Sequence, residues 1–89
     1  MKWTLFLDRD GVINRRVWGG YVRSVDEFEF LPRVPEAIAL LSQHFKHIFV
    51  VTNQQGVAKG LMTERNLSDI HRSMCAEIEK SGGKITACY

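Results

Sequence analysis

Two carboxylates separated by a single residue, Asp8 and Asp10, directly follow the apolar run 3–7 and are the side chains best suited to chemistry. Neighbouring negative charges repel, and burying them is costly unless a cation or hydrogen bonds compensate. A hard divalent cation such as Mg²⁺ would compensate them, because it prefers oxygen ligands and bridges carboxylates to phosphate. Gly11 lets the chain turn away behind the pair. The motif therefore predicts a metal-assisted enzyme site at the end of a buried strand.

The Asp-x-Asp-Gly pattern also occurs in two kinds of structure that are not enzyme sites. An EF-hand loop requires a third oxygen ligand where Val12 stands and a glutamate at its twelfth position, which is Gly19 here, so an EF-hand is excluded. A structural acidic turn after a strand stays open on this motif alone, because so short a motif recurs by chance.

A second polar cluster, which begins at Thr52 and Asn53, follows the continuous apolar run 48–51. Such a run is typical of a buried parallel strand, and ligands of open α/β sheets bind outside the carboxyl ends of the strands. The Thr52 hydroxyl and the Asn53 amide can both donate hydrogen bonds to a phosphate oxygen. A strand end followed by a turn would account for the same residues. The prediction that this cluster binds phosphate therefore depends on the presence of the aspartate motif.

The pattern of apolar residues predicts the element order β-flap-α-β-α-β. We expect strands at 3–8, 47–52 and 85–89, helices at 35–45 and 63–81, and an excursion at 14–31 that forms a short hairpin over the site. Pro35 suits the first turn of a helix, Thr63 can cap the second helix, and Gly82 with Gly83 can end it. Alternating strands and helices favour a parallel sheet with right-handed crossovers.

Composition indicates one small folded domain. Hydrophobic residues make up 45% and charged residues 25% of the 89 residues, which argues against disorder. The formal net charge of +2 and the lack of a basic run longer than Arg15-Arg16 argue against a nucleic-acid partner. No signal-peptide core or membrane-length apolar run is present, so we expect a cytoplasmic protein that does not enter membranes. The two cysteines do not suggest a disulfide framework.

The joint pattern resembles the haloacid dehalogenase (HAD) superfamily over essentially all 89 residues. The Asp-x-Asp-Gly motif with a threonine strand tip points to the superfamily alone. Asn14, Gly20-Tyr21-Val22 and the run 52–58 narrow the resemblance to the D-glycero-D-manno-heptose-1,7-bisphosphate 7-phosphatases and the related histidinol phosphatases. This resemblance implies a Rossmann-like fold with three α/β/α layers around a parallel sheet, present here as the N-terminal half of one hydrolase domain.

The resemblance also implies roles for individual residues. Asp8 would be the nucleophile that forms an aspartyl-phosphate and Asp10 the general acid and base, and both would bind Mg²⁺. The residues that would contact substrate or phosphate are Arg9, Gly19, Gly20, Tyr21, Thr52, Asn53, Gln54 and Gln55. The implied substrate is a heptose bisphosphate, with histidinol phosphate or another small phosphorylated metabolite as the alternative. The intact protein is expected to be a monomer.

Length separates this chain from the resembled family, whose members are roughly twice as long. The family pattern needs a later lysine and a late acidic motif, and its members often carry a zinc-binding loop past the third strand, which would place Zn²⁺ beyond Tyr89. We therefore expect an N-terminal half that is nearly inactive alone. The alternative of a different class is an inactive phosphate- or metal-binding half-domain. A dinucleotide-binding domain is disfavoured because no Gly-x-Gly-x-x-Gly motif follows a strand.

The sequence also bears on the polar residues outside these motifs. Arg9 is expected to point away from the two acids that flank it, and Arg15 and Arg16 could equally line a phosphate site or face solvent. Lys59 is favoured as a surface charge over a substrate contact. The three histidines are His44, His47 and His71. None of them has a nearby cysteine or histidine at the spacing of metal ligands, so we expect packing or surface roles for all three. Cys88 is expected to be a buried thiol of the third strand.

Overall fold

Three parallel strands form the centre of the computed structural model, which describes residues 3–17, 20–53 and 55–89. The strands are β1 (Thr4–Asp8), β2 (His47–Val51) and β3 (Ala87–Cys88), in the order β1-β2-β3. Every residue of β1 has a partner in β2, from Thr4 opposite His47 to Asp8 opposite Val51. The predicted parallel sheet is confirmed. Its third strand is shorter than expected, although hydrogen bonds to β2 extend from Thr86 to Tyr89.

The two predicted helices are confirmed with shifted ends. They are α1 (Val34–Ser42) and α3 (Glu64–Lys80), and a four-residue helix α2 (Gln55–Ala58) precedes α3. Pro35 lies in the first turn of α1, as the sequence predicts. The helix ends before residue 45 because the chain tightens into a turn after Ser42, whose hydroxyl donates to the Ile38 carbonyl at 2.8 Å. The sequence does not predict α2, since four residues are too few to show a helical period.

The excursion at 14–31 does not form the expected hairpin strands within its described part. Its ends are joined by an antiparallel bridge between Asn14 and Phe30, and the Arg15 amide donates to the Glu29 carbonyl at 2.7 Å. The remaining described residues are irregular except for a 3₁₀ turn at Val25–Glu27. Backbone pairing therefore closes the base of the excursion.

The core lies on one face of the sheet, between the strands and the two longer helices. Its buried members are Ile13, Ile38, Ile48, Val50, Met74 and Ile78. The opposite face presents Phe6, which is 64% exposed, and Tyr89, which is 60% exposed. The described residues thus contain two of the three layers that the resemblance implies. Within this part of the chain, no helix is both long and apolar enough to cross a membrane.

Helix α3 begins with a reciprocal cap. The Thr63 hydroxyl accepts from the Asn66 amide at 3.0 Å, while the Asn66 side chain accepts from the Thr63 amide at 2.9 Å. The cap satisfies backbone donors that a helix start leaves free. The cap thereby fixes the start of α3. This helix carries the buried residues Ile70, Met74 and Ile78.

We expect Thr63→Ala to lower the free energy of unfolding by about 1 kcal/mol, because it removes the hydroxyl acceptor of this cap. Thr63→Ser is the matched control, since it keeps the hydroxyl and should change stability little. Urea denaturation followed by circular dichroism measures both. Equal losses from the two substitutions would contradict a stabilising role for the cap.

Candidate active site

The carboxyl end of β1 leads into a tight turn that carries both aspartates. Asp8 is the last residue of β1 and is exposed, and none of the described residues donates a hydrogen bond to its carboxylate. The carbonyl of Arg9 accepts from the Ile13 amide at 2.7 Å, which closes the turn. Gly11 within it has φ +86°, a left-handed conformation that favours glycine. Asp10 therefore lies within this turn, and the accessible Asp8 carboxylate lies at the end of the strand that leads into it.

The Asp10 carboxylate is held by two neighbouring side chains. Arg9 Nη2 donates to both of its oxygens, at 3.0 and 3.2 Å, and Asn14 Nδ2 donates to Oδ1 at 2.9 Å. Asn14 is fully buried, so its amide is fixed. Three hydrogen bonds thus set the orientation of Asp10. Asn14 belongs to the resembled motif, yet the sequence alone gives it no role in the site.

The expectation that Arg9 points away from the acids is wrong. Its guanidinium bonds to Asp10, lies 5.9 Å from the ring centre of Phe28, and belongs to a residue only 3% exposed. The Arg9 amide continues the pairing with β2 by donating to the Val51 carbonyl, so strand alternation places its side chain on the core face with Leu5 and Leu7. A buried cation there requires a carboxylate partner. Within the described part of the chain, Arg9 Nε and Asn14 Oδ1 are buried without a hydrogen-bond partner. Phosphate binding by Arg9 stays a prediction.

His71 of α3 joins the tips of β1 and β2. Its Nε2 lies 3.2 Å from Arg9 Nη1 and 3.3 Å from Thr52 Oγ1. Because a guanidinium only donates, Nε2 accepts from Arg9 and the imidazole is neutral. Burial, reinforced by the positive charge of Arg9 and partly opposed by Asp10, lowers the pKa of His71 from 6.5 to about 4. The expected packing or surface role is thus corrected, since His71 contacts two residues of the predicted site.

The tip of β2 supplies Thr52 and Asn53, as the sequence predicts. Besides its contact with His71, Thr52 donates its backbone N–H to the Tyr89 carbonyl at 2.7 Å. Asn53 Oδ1 accepts from the Gln55 amide at 3.0 Å, which shapes the start of α2. Tyr21 Oη donates to Gln55 Oε1 at 3.3 Å, so the excursion touches the first residue of α2. Two predicted substrate contacts, Gly19 and Gln54, lie outside the described residues.

A cleft of about 540 Å³ lies between the excursion and the segment after β2. Among its lining residues are the predicted site residues Arg9, Asp10, Gly20, Tyr21 and Asn53. The basic residues Arg16 and Lys59 also line it, so its walls carry more positive than negative side chains. This balance suits an anionic ligand.

The basic residues that the sequence left open differ in position. Arg16 lines the cleft, whereas Arg15 forms an exposed ion pair with Glu29 at 3.4 Å. Lys59 also lines the cleft, and its Nζ lies 6.0 Å from the ring centre of Tyr21. Arg16 and the exposed Lys59 thus both border the cleft, and a contact of either with phosphate or substrate stays a prediction.

The oxygen ligands at the tip of β1 fit Mg²⁺. No group of three acidic, histidine or cysteine side chains capable of holding a metal is found in residues 3–17, 20–53 and 55–89. Mg²⁺, however, is commonly held by one or two carboxylates, with water and substrate phosphate completing its six ligands. The exposed Asp8 carboxylate, with Asp10 close by in sequence, supplies that kind of donor set.

No protein-family model matches the chain. Comparisons with curated proteins and with solved structures both find heptose bisphosphate phosphatases. The chain is 48% identical over 81 residues to a D-glycero-alpha-D-manno-heptose-1,7-bisphosphate 7-phosphatase of Mycobacterium tuberculosis, covering 91% of this chain and 43% of that protein. The D,D-heptose 1,7-bisphosphate phosphatase structure from Bordetella bronchiseptica, with magnesium and phosphate, superposes with a TM-score of 0.91 at 38% identity. That match covers 100% of this chain and 49% of the Bordetella chain.

A more distant structure, an HAD-like phosphatase from Mesorhizobium loti, matches with a TM-score of 0.81 at 28% identity over 94% of this chain and 39% of its own. The chain therefore spans about half the length of the relatives it matches. Within that span, the resemblance to HAD-like heptose bisphosphate phosphatases and the parallel α/β fold that it implies are confirmed.

We expect His71 to make stability depend on pH. Its pKa is lower in the folded than in the unfolded chain, so its contribution is complete above about pH 6.5 and is lost as the pH falls to about 4. The difference in unfolding free energy between the parent chain and His71→Gln should fall over this window by on the order of 1 kcal/mol, allowing for solvent screening. Urea titrations across the window measure it, and a constant difference would contradict a buried neutral His71.

Gly56 is needed for close contact between the excursion and α2. A Cβ added there would lie 3.1 Å from Met62 Sδ and 3.3 Å from Tyr21 Cγ. We expect Gly56→Ala to destabilise the chain by about 1 kcal/mol through overpacking. Its cost should be smaller in a Met62→Ala background, where space is available. A double-mutant cycle measured by urea denaturation tests this coupling, and equal costs in both backgrounds would contradict it.

Proposed function

We propose, given this kinship with HAD-like heptose bisphosphate phosphatases, that the protein containing these 89 residues hydrolyses a small phosphomonoester. A heptose bisphosphate is the favoured substrate, and histidinol phosphate is the alternative within the same class. The observation that carries the proposal is the pairing of an accessible Asp8 with an Asp10 that Arg9 and Asn14 hold in place. Asp8 is accessible to a substrate, and its neighbour Asp10 is held in the turn that follows it, which supports a nucleophile and a proton-transfer residue in these two positions.

The proposed reaction has two steps. Asp8 attacks the phosphorus atom, the bond to the substrate oxygen breaks, and protonated Asp10 gives its proton to the departing alkoxide. Asp10, now a base, then takes a proton from water, whose oxygen attacks phosphorus and releases Asp8 and inorganic phosphate. In its bonds to Arg9 and Asn14, Asp10 is a carboxylate, which is the form that acts as the base in the second step. The first step requires a proton on Asp10, which we propose it holds once Arg9 turns to the negative phosphoryl group.

Substrate would enter the basic cleft. Asn53 lines this cleft, and with Thr52, which precedes it in the chain, it would hold the transferring phosphoryl group. Gln55 does not line the cleft but is bonded to Tyr21, which does, so it would lie near the rest of the substrate. Arg16 and Lys59 add positive charge to the walls that would face an anionic sugar. Mg²⁺ bound by Asp8 and Asp10 would offset the repulsion between carboxylate and phosphate, and the Bordetella relative contains both magnesium and phosphate.

A second candidate is a phosphate- or metal-binding part that has no turnover by itself. What favours it is that no group of three metal-holding side chains lies among the described residues, so a bound Mg²⁺ would rely on one or two carboxylates. Without further groups to neutralise charge in the transition state, phosphoryl transfer would lack its main source of stabilisation. A Zn²⁺ site would belong to the part of the relatives that this chain does not cover. We also propose, as the resemblance implies, that the intact protein is a cytoplasmic monomer that acts on a small molecule.

The proposal is tested by measuring Mg²⁺-dependent phosphate release from heptose bisphosphate, histidinol phosphate and other sugar phosphates. We expect Asp8→Asn to abolish turnover and Asp10→Asn to lower kcat by about 10²–10⁴-fold. Asp26→Asn, at an exposed position of the excursion, is the matched control and should retain activity. Full activity in Asp8→Asn would overturn the proposed nucleophile. Strong turnover by the 89 residues alone, lost in Asp8→Asn, would overturn the second candidate.

A further inference from the structure

The proposed phosphatase chemistry leaves both cysteines unused, although they line one cleft. This second cleft, of about 500 Å³, is bordered by Cys75 of α3 and Cys88 of β3 together with His71 and Arg72. Both thiols are free and half-buried. Thirteen positions separate the two cysteines in sequence, so only the packing of α3 against β3 brings them to the same place.

The packing around Val50 accounts for the meeting of the two cysteines. Cys88 pairs with Val50 in the sheet, and Val50 is fully buried in the same core cluster as Met74, which precedes Cys75 in α3. Both cysteines pack against this cluster. The contact thus rests on the core of the domain and is present whenever α3 and β3 are in place.

The two thiols are close enough to act on each other, which makes them chemically different. Donation by the Cys88 thiol lowers the pKa of Cys75, against the opposing effects of burial and of Glu79. The same bond, reinforced by burial, raises the pKa of Cys88, and the positive charge of Arg9 only partly offsets this. Cys75 therefore ionises first, and a thiolate rather than a thiol is the nucleophile in disulfide exchange.

We propose that Cys75 and Cys88 form an oxidisable dithiol site that reacts with low-molecular-weight disulfides. The Cys75 thiolate attacks one sulfur of the small disulfide, so a mixed disulfide forms and one small thiolate leaves and is protonated. Cys88 then loses its proton to solvent and attacks the Cys75 sulfur, which forms the protein disulfide and releases the second small thiol. The protein dithiol is oxidised by two electrons, and one small disulfide is reduced to two thiols.

Both cysteines lie close in the chain to residues that contact or support the candidate active site. Cys75 lies one helical turn after His71, and Cys88 is followed by Tyr89, whose carbonyl accepts the Thr52 amide. A Cys75–Cys88 disulfide would therefore tie together the elements that carry His71 and support Thr52. The dithiol site does not depend on the proposed function, and its test needs no phosphatase assay.

The experiment treats the folded chain with oxidised glutathione and follows intact mass over time. We expect the parent chain to lose two hydrogen atoms without forming dimers. Cys88→Ser should stop at a mixed disulfide with one glutathione on Cys75. Cys75→Ser should react about tenfold or more slowly, because the remaining thiol is poorly ionised. Peptide mapping of the parent chain quenched early should find glutathione on Cys75.

The same reactions in concentrated urea provide the control, since both variants should react at similar rates once the chain is unfolded. Circular dichroism confirms that each variant is folded before treatment. If a serine variant does not fold, the early peptide map of the parent chain decides the order of reaction. Intermolecular disulfides only, early glutathione on Cys88, or a parent chain that retains both free thiols would overturn the proposal.

Discussion

A guanidinium that is almost fully removed from water needs a fixed negative partner, and in this chain Asp10 is that partner for Arg9. Removing one member of a fully buried pair typically costs about 3–5 kcal/mol, and loss of Asp10 should cost less because its side chain is 28% exposed. The pair therefore constrains more than its own two residues. The pair orients Asp10 and places the Arg9 guanidinium against the neutral imidazole of His71. His71 in turn contacts the Thr52 hydroxyl and so positions it. The tips of β1 and β2 thus share one polar network, although their side chains come from separate parts of the sequence.

Local signals account for the parts of the structure that the sequence predicts well. The strands at Thr4–Asp8 and His47–Val51, the cap at Thr63 and the start of α1 near Pro35 all depend on residues close to one another along the chain. The position of Asp8 at a strand end follows from the same kind of signal. The polar residue types at the two strand tips are enough to predict that the tips form one site.

Distant packing decides the parts that sequence reasoning misses. The Arg9 guanidinium contacts His71, which lies 62 positions away in the chain. Spacing along the chain carries no trace of such a contact, so the sequence predicts only a packing or surface role for the histidine. The cysteines show the same limit, because their meeting depends on how α3 crosses β3. A charged residue between two acids is nevertheless a usable signal, since a carboxylate is its natural partner if it is buried.

The water-facing side of the sheet has a consequence for how the chain behaves in solution. The rings of Phe6 and Phe49 stack with centres 5.3 Å apart, and Tyr89 lies 5.6 Å from Phe49, so three aromatic side chains form one continuous surface. Removing such a surface from water is favourable, and parallel sheets are ordinarily covered on both faces. This face therefore limits the colloidal stability of these 89 residues, because two chains can associate through it. Protein concentration and added salt then govern whether the chain stays dispersed.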